Sequence, residues 1–324
     1  MKLTQNPGVN KLIIVEGLTG LGKSTLAHFI ARQLQYQQIK AAWVHEGELG
    51  HPLSIEVDPS SIDLFMKTAL IRWRDLVSQI ESSGETLILE ASFFNNLLET
   101  LFSHNVPTPK ITQYSDMILD TIQPLQPALV YLTHSDTKKA LVDNFNRRGV
   151  GFRDFVIQLA TSTPYAQHRG LVGYEGMVEF WCDFVALTDQ IYDRFRFQKI
   201  ALLNTAGNWD SLKQGTAEFL SIPYITENQL SEDEAVGFTG VYKDVHNDKV
   251  FIVRYQNHAL VANIFLEDWT RLIPQSEYLF KTEGWHFVIH FENDAFGEIG
   301  SLRIEGQDVD YLSLTGTVAR KVLN

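Results

Sequence analysis

The sequence predicts an α/β domain built on a five-stranded parallel sheet, followed by a small antiparallel β barrel. Three observations predict it. Short, uniformly apolar segments alternate with longer helical stretches over the first two-thirds of the chain. A glycine-rich turn, "GLTGLGKST", joins the first of these segments to an amphipathic run. From residue 235 the rhythm changes to about eight alternating segments in about 90 residues, with no helical pattern.

The strand candidates of the first part are residues 12–15, 41–45, 86–90, 128–133 and 200–204. Helical patterns lie between them at 25–37, 62–81 and 172–195; the second carries apolar residues at Leu64, Phe65, Ala69, Trp73, Leu76 and Ile80. Strands this apolar on both faces need helices on both sides, which is the arrangement of a parallel sheet. Residues 1–222 are expected to form this domain. The polar, acidic "ITENQLSEDE" reads as part of a linker over 223–234. The barrel, 235–324, would use "FTGVYKD", "KVFIVRYQ", "ALVANIFL", "RLIPQS", "EYLFKT", "HFVIHFEN", "EIGSLRIEG" and "YLSLTGTV" as strands.

A length of 324 residues suits two domains better than one. The net charge of -12 argues against a nucleic-acid partner and against an anionic membrane surface. A local cluster of Arg and Lys can still receive an anionic substrate. No apolar run is long enough to span a bilayer, and the opening "MKLTQNPGVNK" lacks a signal-peptide core, so a cytoplasmic location is expected. Cys182 is the single cysteine, which excludes an intramolecular disulfide. It lies in the apolar helical run "MVEFWCDFVAL" and is expected to be buried.

The turn matches G-x-x-x-x-G-K-[ST] with Gly17, Gly22, Lys23 and Ser24, the signature of a P-loop NTPase fold. Backbone N–H groups of Gly17, Leu18, Thr19, Gly20, Leu21, Gly22, Lys23, Ser24 and Thr25 are therefore assigned to nucleotide phosphate, helped by the helix N-terminus. Lys23 can reach the β- and γ-phosphates of ATP, and the Ser24 hydroxyl can ligate Mg²⁺. A transfer centre needs three further parts: an acid near the acceptor, an acid near the metal and arginines for the transferring group. Glu46 follows the second strand and Glu90 ends the third. Arg147, Arg148 and Arg153 stand beside Gly149 and Gly151. Each has a plainer alternative. Glu46 can be a solvated loop acid, and Arg147 and Arg148 an ordinary helix C-terminus. The loop with Thr205 and Gly207 after the fifth strand either backs a purine ring or is a simple turn.

With these residues in view, the first part resembles the thymidylate kinase and deoxynucleoside kinase group over about residues 11–222. "LIIVEGLTGLGKSTLA", with Glu16 before Gly17, is similar to that group's opening. "HEGELGHPL" is similar to its R-E-P-G-G-T-P-L stretch, and "LILEAS" occupies the place of its D-R-Y or E-R-S motif. "TALIRWRDLV" resembles the helix with an acceptor-binding arginine, which falls on Arg72, and "FNRRG" sits where a lid arginine is expected. The resemblance implies ATP as donor, Mg²⁺ at Ser24 and Glu90, and a small-molecule acceptor at Glu46 and Arg72. It also implies charge stabilisation by Lys23, Arg147 and Arg148; many of the group are homodimers. His45 and Ala91 stand where the group has arginines, so the acceptor half departs from its pattern. The acceptor is left open as a nucleotide, a nucleoside or another hydroxyl compound. A nucleotide-dependent switch whose barrel binds a ligand or partner is the alternative.

The second part is similar to lipocalin-like barrels found after hydrolase domains, through its G-x-Y opening, residues 272–276, Phe280 and the run around Leu302. Trp269 and Trp285 would either line a pocket or belong to the core.

Overall fold

The strand β1 (Leu12–Gly17) is buried at every position, as its unbroken apolar run requires. The computed structural model describes residues 10–55, 61–205, 208–227, 229–265 and 268–322. The chain divides into two compact units. One comprises Met1–Glu46, Gly50–Asn146 and Val150–Tyr224; the other comprises Gly47–Leu49, Arg147–Gly149 and Ile225–Asn324.

In the first unit β1 is followed by α1 (Lys23–Tyr36), β2 (Ala41–Val44), α2 (Ile62–Ser83) and β3 (Thr86–Glu90). Next come a π-helical turn (Phe94–Leu98), α3 (Glu99–Ser103), α4 (Thr108–Ile122) and β4 (Ala128–Thr133). Then α5 (Thr137–Thr161), α6 (Pro164–Arg169), α7 (Gly173–Arg194), β5 (Gln198–Leu203) and α8 (Trp209–Phe219) complete it. The helix α2 buries Phe65, Ala69, Trp73, Leu76, Val77 and Ile80, the 3–4 spacing of one helix face. It stops at Gly84, whose left-handed φ of 66° lets its N–H reach back to the Ile80 carbonyl.

All five strands are parallel, in the order β2-β3-β1-β4-β5. The connection leaving β1 leads to β2 at one edge, whereas the one leaving β3 crosses to β4 on the other side. The chain therefore parts between the carboxyl ends of β1 and β3, and such a crevice is where open α/β sheets take their ligands. The register sets Val15 opposite Glu90, so Glu16 and Gly17 run past the end of β3.

Cys182 is exposed, contrary to the expectation from its apolar surroundings. The helix α7 buries Met177, Phe180, Trp181, Phe184 and Leu187, and Cys182 falls on the side turned away from that stripe.

The second unit begins its regular structure inside the stretch read as a linker. Ser231 and Glu234 form a reciprocal capping box on α9 (Glu232–Ala235). Eight strands follow: β6 (Gly240–Asp244), β7 (Val250–Gln256), β8 (Ala259–Phe265), β9 (Asp268–Pro274), β10 (Leu279–Thr282), β11 (Phe287–Asn293), β12 (Ile299–Gly306) and β13 (Val318–Val322). Each pairs antiparallel with its neighbour in sequence, and β13 pairs with β6 to close the barrel. The last strand lies later than "YLSLTGTV" suggested. Asp308 takes hydrogen bonds from the Leu314 and Thr315 N–H groups (2.8 and 2.9 Å) and the Ser313 hydroxyl (2.6 Å). That side chain folds the segment into turns, and pairing starts at Val318.

The barrel is filled by its own residues, among them Phe251, Phe280, Phe287, Phe291, Leu302 and Ile304. Phe238 meets Phe280 and Phe291 edge-on at 5.1 and 5.0 Å. Trp285 packs on this core beside Phe265 and Tyr311. Trp269 points outward, because its neighbour Thr270 points in, and the Arg254 guanidinium lies 3.4 Å from its ring centroid.

Candidate active site

The turn from β1 into α1 depends on glycine. Gly20 and Gly22 have φ of 80° and 92°. A Cβ on Gly22 would lie 2.0 Å from the Trp209 ring, and one on Gly20 2.3 Å from the Asn144 side chain. The backbone is thus free to bend and is packed too tightly for any larger residue. Gly22 also caps α1, with no side chain satisfying the first turn and no acid within it. A helix end of this kind presents its N–H groups to an anion. The Asn204 amide donates to the Leu21 carbonyl (2.9 Å), tying the loop that carries Thr205 to the phosphate turn. Thr205 is exposed there, and Gly207 lies outside the described residues.

The charge of Lys23 acts on three glutamates, Glu16, Glu90 and Glu99. The Ser24 hydroxyl donates to Glu90 Oε1 at 2.5 Å. Glu90 is 1% exposed. Its carboxyl is pushed well above the ordinary range by burial first and then by the charge of Glu46; Lys23, the Ser24 bond and the Trp43 indole oppose this. Glu90 Oε2 is buried and accepts no hydrogen bond of normal geometry among the described residues. Glu16 is wholly buried, and its Oε1 accepts from the Phe93 and Phe94 N–H groups at 2.7 and 3.0 Å. Burial still pushes its carboxyl up to about 7, against the pull of those N–H groups and Lys23. Glu99, at the start of α3, is pushed up to about 8 by burial, then by the charge of Glu46 and last by that of Glu16, with Lys23 opposing. Some of its surface remains accessible, although protein encloses most of it.

The chain pays for this convergence in backbone strain at Ala91. It is fully buried with φ of 51°, a left-handed conformation that costs a residue with a Cβ about 1 kcal/mol. The strained step lets Ala91 N–H donate to the Val15 carbonyl (3.0 Å) while the chain turns towards the π-helical segment. Ser92 follows, its hydroxyl donating to the Glu90 carbonyl at 2.8 Å. The Leu53 N–H donates to His51 Nδ1 (3.1 Å), which assigns the ring proton to Nε2, and Nε2 then donates to Ser92 Oγ (3.2 Å). These bonds pin the segment after β2 to the end of β3. Trp43 forms a wall between His28, stacked at 4.9 Å, and His45, edge-on at 5.8 Å.

The sequence-derived site residues therefore divide. Gly17–Gly22, Lys23, Ser24, Glu46 and Glu90 come together in the first unit. Arg72 lies on the exposed side of α2 and has no polar partner among the described residues. Arg147 and Arg148 group with the second unit, where both face Asp268 Oδ2 at 3.6 Å. They precede Gly149, whose φ of 85° and ψ of 174° break α5 into two limbs. Sequence reasoning missed Glu99, Trp209, Asn204 and His51. Only Glu99 carried a signal, as an acid inside the apolar run "LLETLF".

Among the described residues no three His, Cys, Asp or Glu side chains gather as a metal-ligand set. A Mg²⁺ ion fits all the same. It requires only one or two protein ligands when phosphate oxygens and water supply the rest, and the buried Glu90 Oε2 beside the Ser24 hydroxyl offers them.

No protein-family model matches this chain, and no curated protein matches it. Among solved structures, it is similar to the crystal structure of thymidylate kinase from Ehrlichia chaffeensis. The identity is 11% and the TM-score 0.40, over 66% of this chain and 100% of that one. No helix of the described residues is long and apolar enough to cross a membrane.

Proposed function

We propose that this protein transfers the γ-phosphoryl group of ATP to a hydroxyl group on a small molecule. One observation carries the reading: the Ser24 hydroxyl, at the bare N-terminus of α1, is bonded to the buried Glu90 carboxyl group at the end of the neighbouring strand, whose charged form Lys23 favours. The glycine turn and Lys23 would hold the β- and γ-phosphates. Ser24 and Glu90 would hold Mg²⁺, which when bound neutralises phosphate charge. Glu46 orients the acceptor hydroxyl. That oxygen forms the new bond to phosphorus, the bond to the bridging β–γ oxygen breaks towards ADP, and the hydroxyl proton passes to Glu46.

Removing Lys23 tests this directly. In Lys23→Ala, acceptor-stimulated ADP release is expected to fall by about 10²- to 10³-fold, the scale for losing one charge-stabilising group. ATP affinity measured by calorimetry falls with it; full affinity in the variant contradicts the assignment.

A nucleotide-dependent switch is the second reading. The pairing of Arg147 and Arg148 with Asp268 favours it, because arginines held by a carboxylate are not serving phosphate. It prevails if ATP is only slowly hydrolysed in the presence of acceptors while amide exchange within residues 225–322 changes on ATP binding.

A further inference from the structure

Four tryptophans lie in the first unit, and one differs from the rest. Trp43, Trp73 and Trp181 are each less than a tenth exposed. Each of their rings meets another: His28 and His45 at Trp43, Phe93 at Trp73, Phe180 and Phe184 at Trp181. Trp209 is half-buried, and among the described residues no aromatic ring or cation lies on its indole. Its benzene edge meets the phosphate turn. Cη2, Cζ2 and Cζ3 stand 2.0, 2.8 and 3.1 Å from where a Cβ on Gly22 would be.

The ring is held in place from several sides. The Asn204 N–H donates to the Thr133 carbonyl (2.9 Å), extending the β4–β5 ladder, and its side-chain amide donates to the Leu21 carbonyl (2.9 Å). Asn208 caps α8, accepting from the Ser211 N–H at 3.3 Å. One turn after Trp209, the Lys213 ammonium lies 5.6 Å from the Phe29 ring centroid on α1. The strands β1, β4 and β5 are parallel neighbours, so the phosphate turn and α8 follow the same, carboxyl, side of the sheet. A fixed and partly uncovered aromatic surface therefore stands against the turn assigned to phosphate. A nucleotide carries a flat ring of its own, one ribose away from its phosphates. Covering the open indole with that ring removes apolar area from water.

We propose that Trp209 is the stacking platform for the base of the phosphoryl donor, and that it selects a purine by ring area rather than adenine by its polar edge. The inference rests on the phosphoryl-transfer reading above and states what the donor site of that reading recognises. Stacking uses the face that every base has, and a purine covers more of an indole than a pyrimidine does. The flanking amides of Asn204 and Asn208 are engaged on Leu21 and Ser211, where they position the ring. ATP and GTP are then near-equal donors.

The test is calorimetry on the full chain with Mg²⁺ and ATP, GTP, CTP, UTP or inorganic triphosphate, the last having no base. ATP and GTP are expected to bind within a few-fold of each other and more tightly than CTP and UTP. Trp209→Ala should weaken ATP and GTP about tenfold or more, the scale of one base–aromatic stack, and leave triphosphate unchanged. Trp209→Phe should keep most of the purine affinity. In the wild type ATP, but not triphosphate, should quench part of the tryptophan fluorescence, and that part should be missing from Trp209→Phe. This second readout replaces the alanine variant if that one fails to fold. Three results overturn the platform and leave phosphoryl transfer standing: purine affinity unchanged or raised in Trp209→Ala, all four nucleotides bound alike, or a clear preference for one purine. Failure of every nucleotide and of triphosphate to bind the wild type overturns both.

Discussion

The two units of this chain use β structure in opposite ways. The parallel sheet buries charge at its strand ends: Glu16, Lys23 and Glu90 are each less than a tenth exposed. The closed barrel buries phenylalanines and aliphatic residues, and its strands alternate buried apolar positions with more exposed ones. Burying an unpaired charge costs several kcal/mol, so a fold keeps such groups only where chemistry needs them. An open sheet provides the place, at the crevice between β1 and β3. A closed barrel of eight strands has room for little besides its own side chains. The proposed phosphoryl transfer would accordingly use the first unit.

That contrast can be broken most strongly from the barrel side. Phe280 is fully buried among Phe238 and Phe291, and Phe280→Ala is expected to cost about 3 kcal/mol or more of barrel stability. Amide exchange within β6–β13 should accelerate accordingly while ATP affinity stays within a few-fold. A large loss of ATP affinity would show that the barrel does more than stabilise itself.

The acids of the first unit give the next largest effect. Glu16 and Glu99 hold their protons to about pH 7 and pH 8 in the folded chain, against an ordinary value of 4.5. The folded state therefore binds more protons than the unfolded state in that interval. The stability these groups contribute is complete below about pH 4.5 and is lost as pH rises through 7 and 8, at up to about 1.4 kcal/mol per pH unit for each group. Urea unfolding between pH 5 and 8.5 should show this fall, and Glu99→Gln should flatten its upper part. A wild-type profile that rises with pH contradicts the burial of these acids.

The smallest effect belongs to Ala91. Replacing it with glycine relieves a left-handed φ and is expected to raise stability by about 1 kcal/mol or less, read as an increase in Tm. A lowered Tm would mean that the methyl group packs better than its backbone strain costs.

Much of this was legible in the sequence. Strand order needs contacts, but strand existence needs only apolar runs, and all five parallel strands lay where those runs lie. Gly17, Gly22, Lys23 and Ser24 stood out because their spacing is that of a phosphate-binding turn, and the turn they form does join β1 to α1. Glu90 was readable because an acid ending a buried strand is expensive. Glu99 was harder to see, since its partners Glu46 and Glu16 are distant in sequence and only the fold brings their charges together. Cys182 misled because an apolar neighbourhood does not say which side of the helix is buried. The last barrel strand misled because Asp308 redirects a chain segment with good β pattern. Arg147 and Arg148 show a further limit: the sequence supplies two cations, and the carboxylate that holds them, Asp268, is about 120 residues away.

The most direct test of the central claim follows the γ-phosphorus of ATP by ³¹P NMR, with the full chain, Mg²⁺ and a panel of small hydroxyl compounds that includes nucleosides, nucleotides and sugars. The expected result is a new phosphomonoester resonance that grows as ATP falls and is absent with Lys23→Ala. Inorganic phosphate as the sole product, with every acceptor tried, would contradict it.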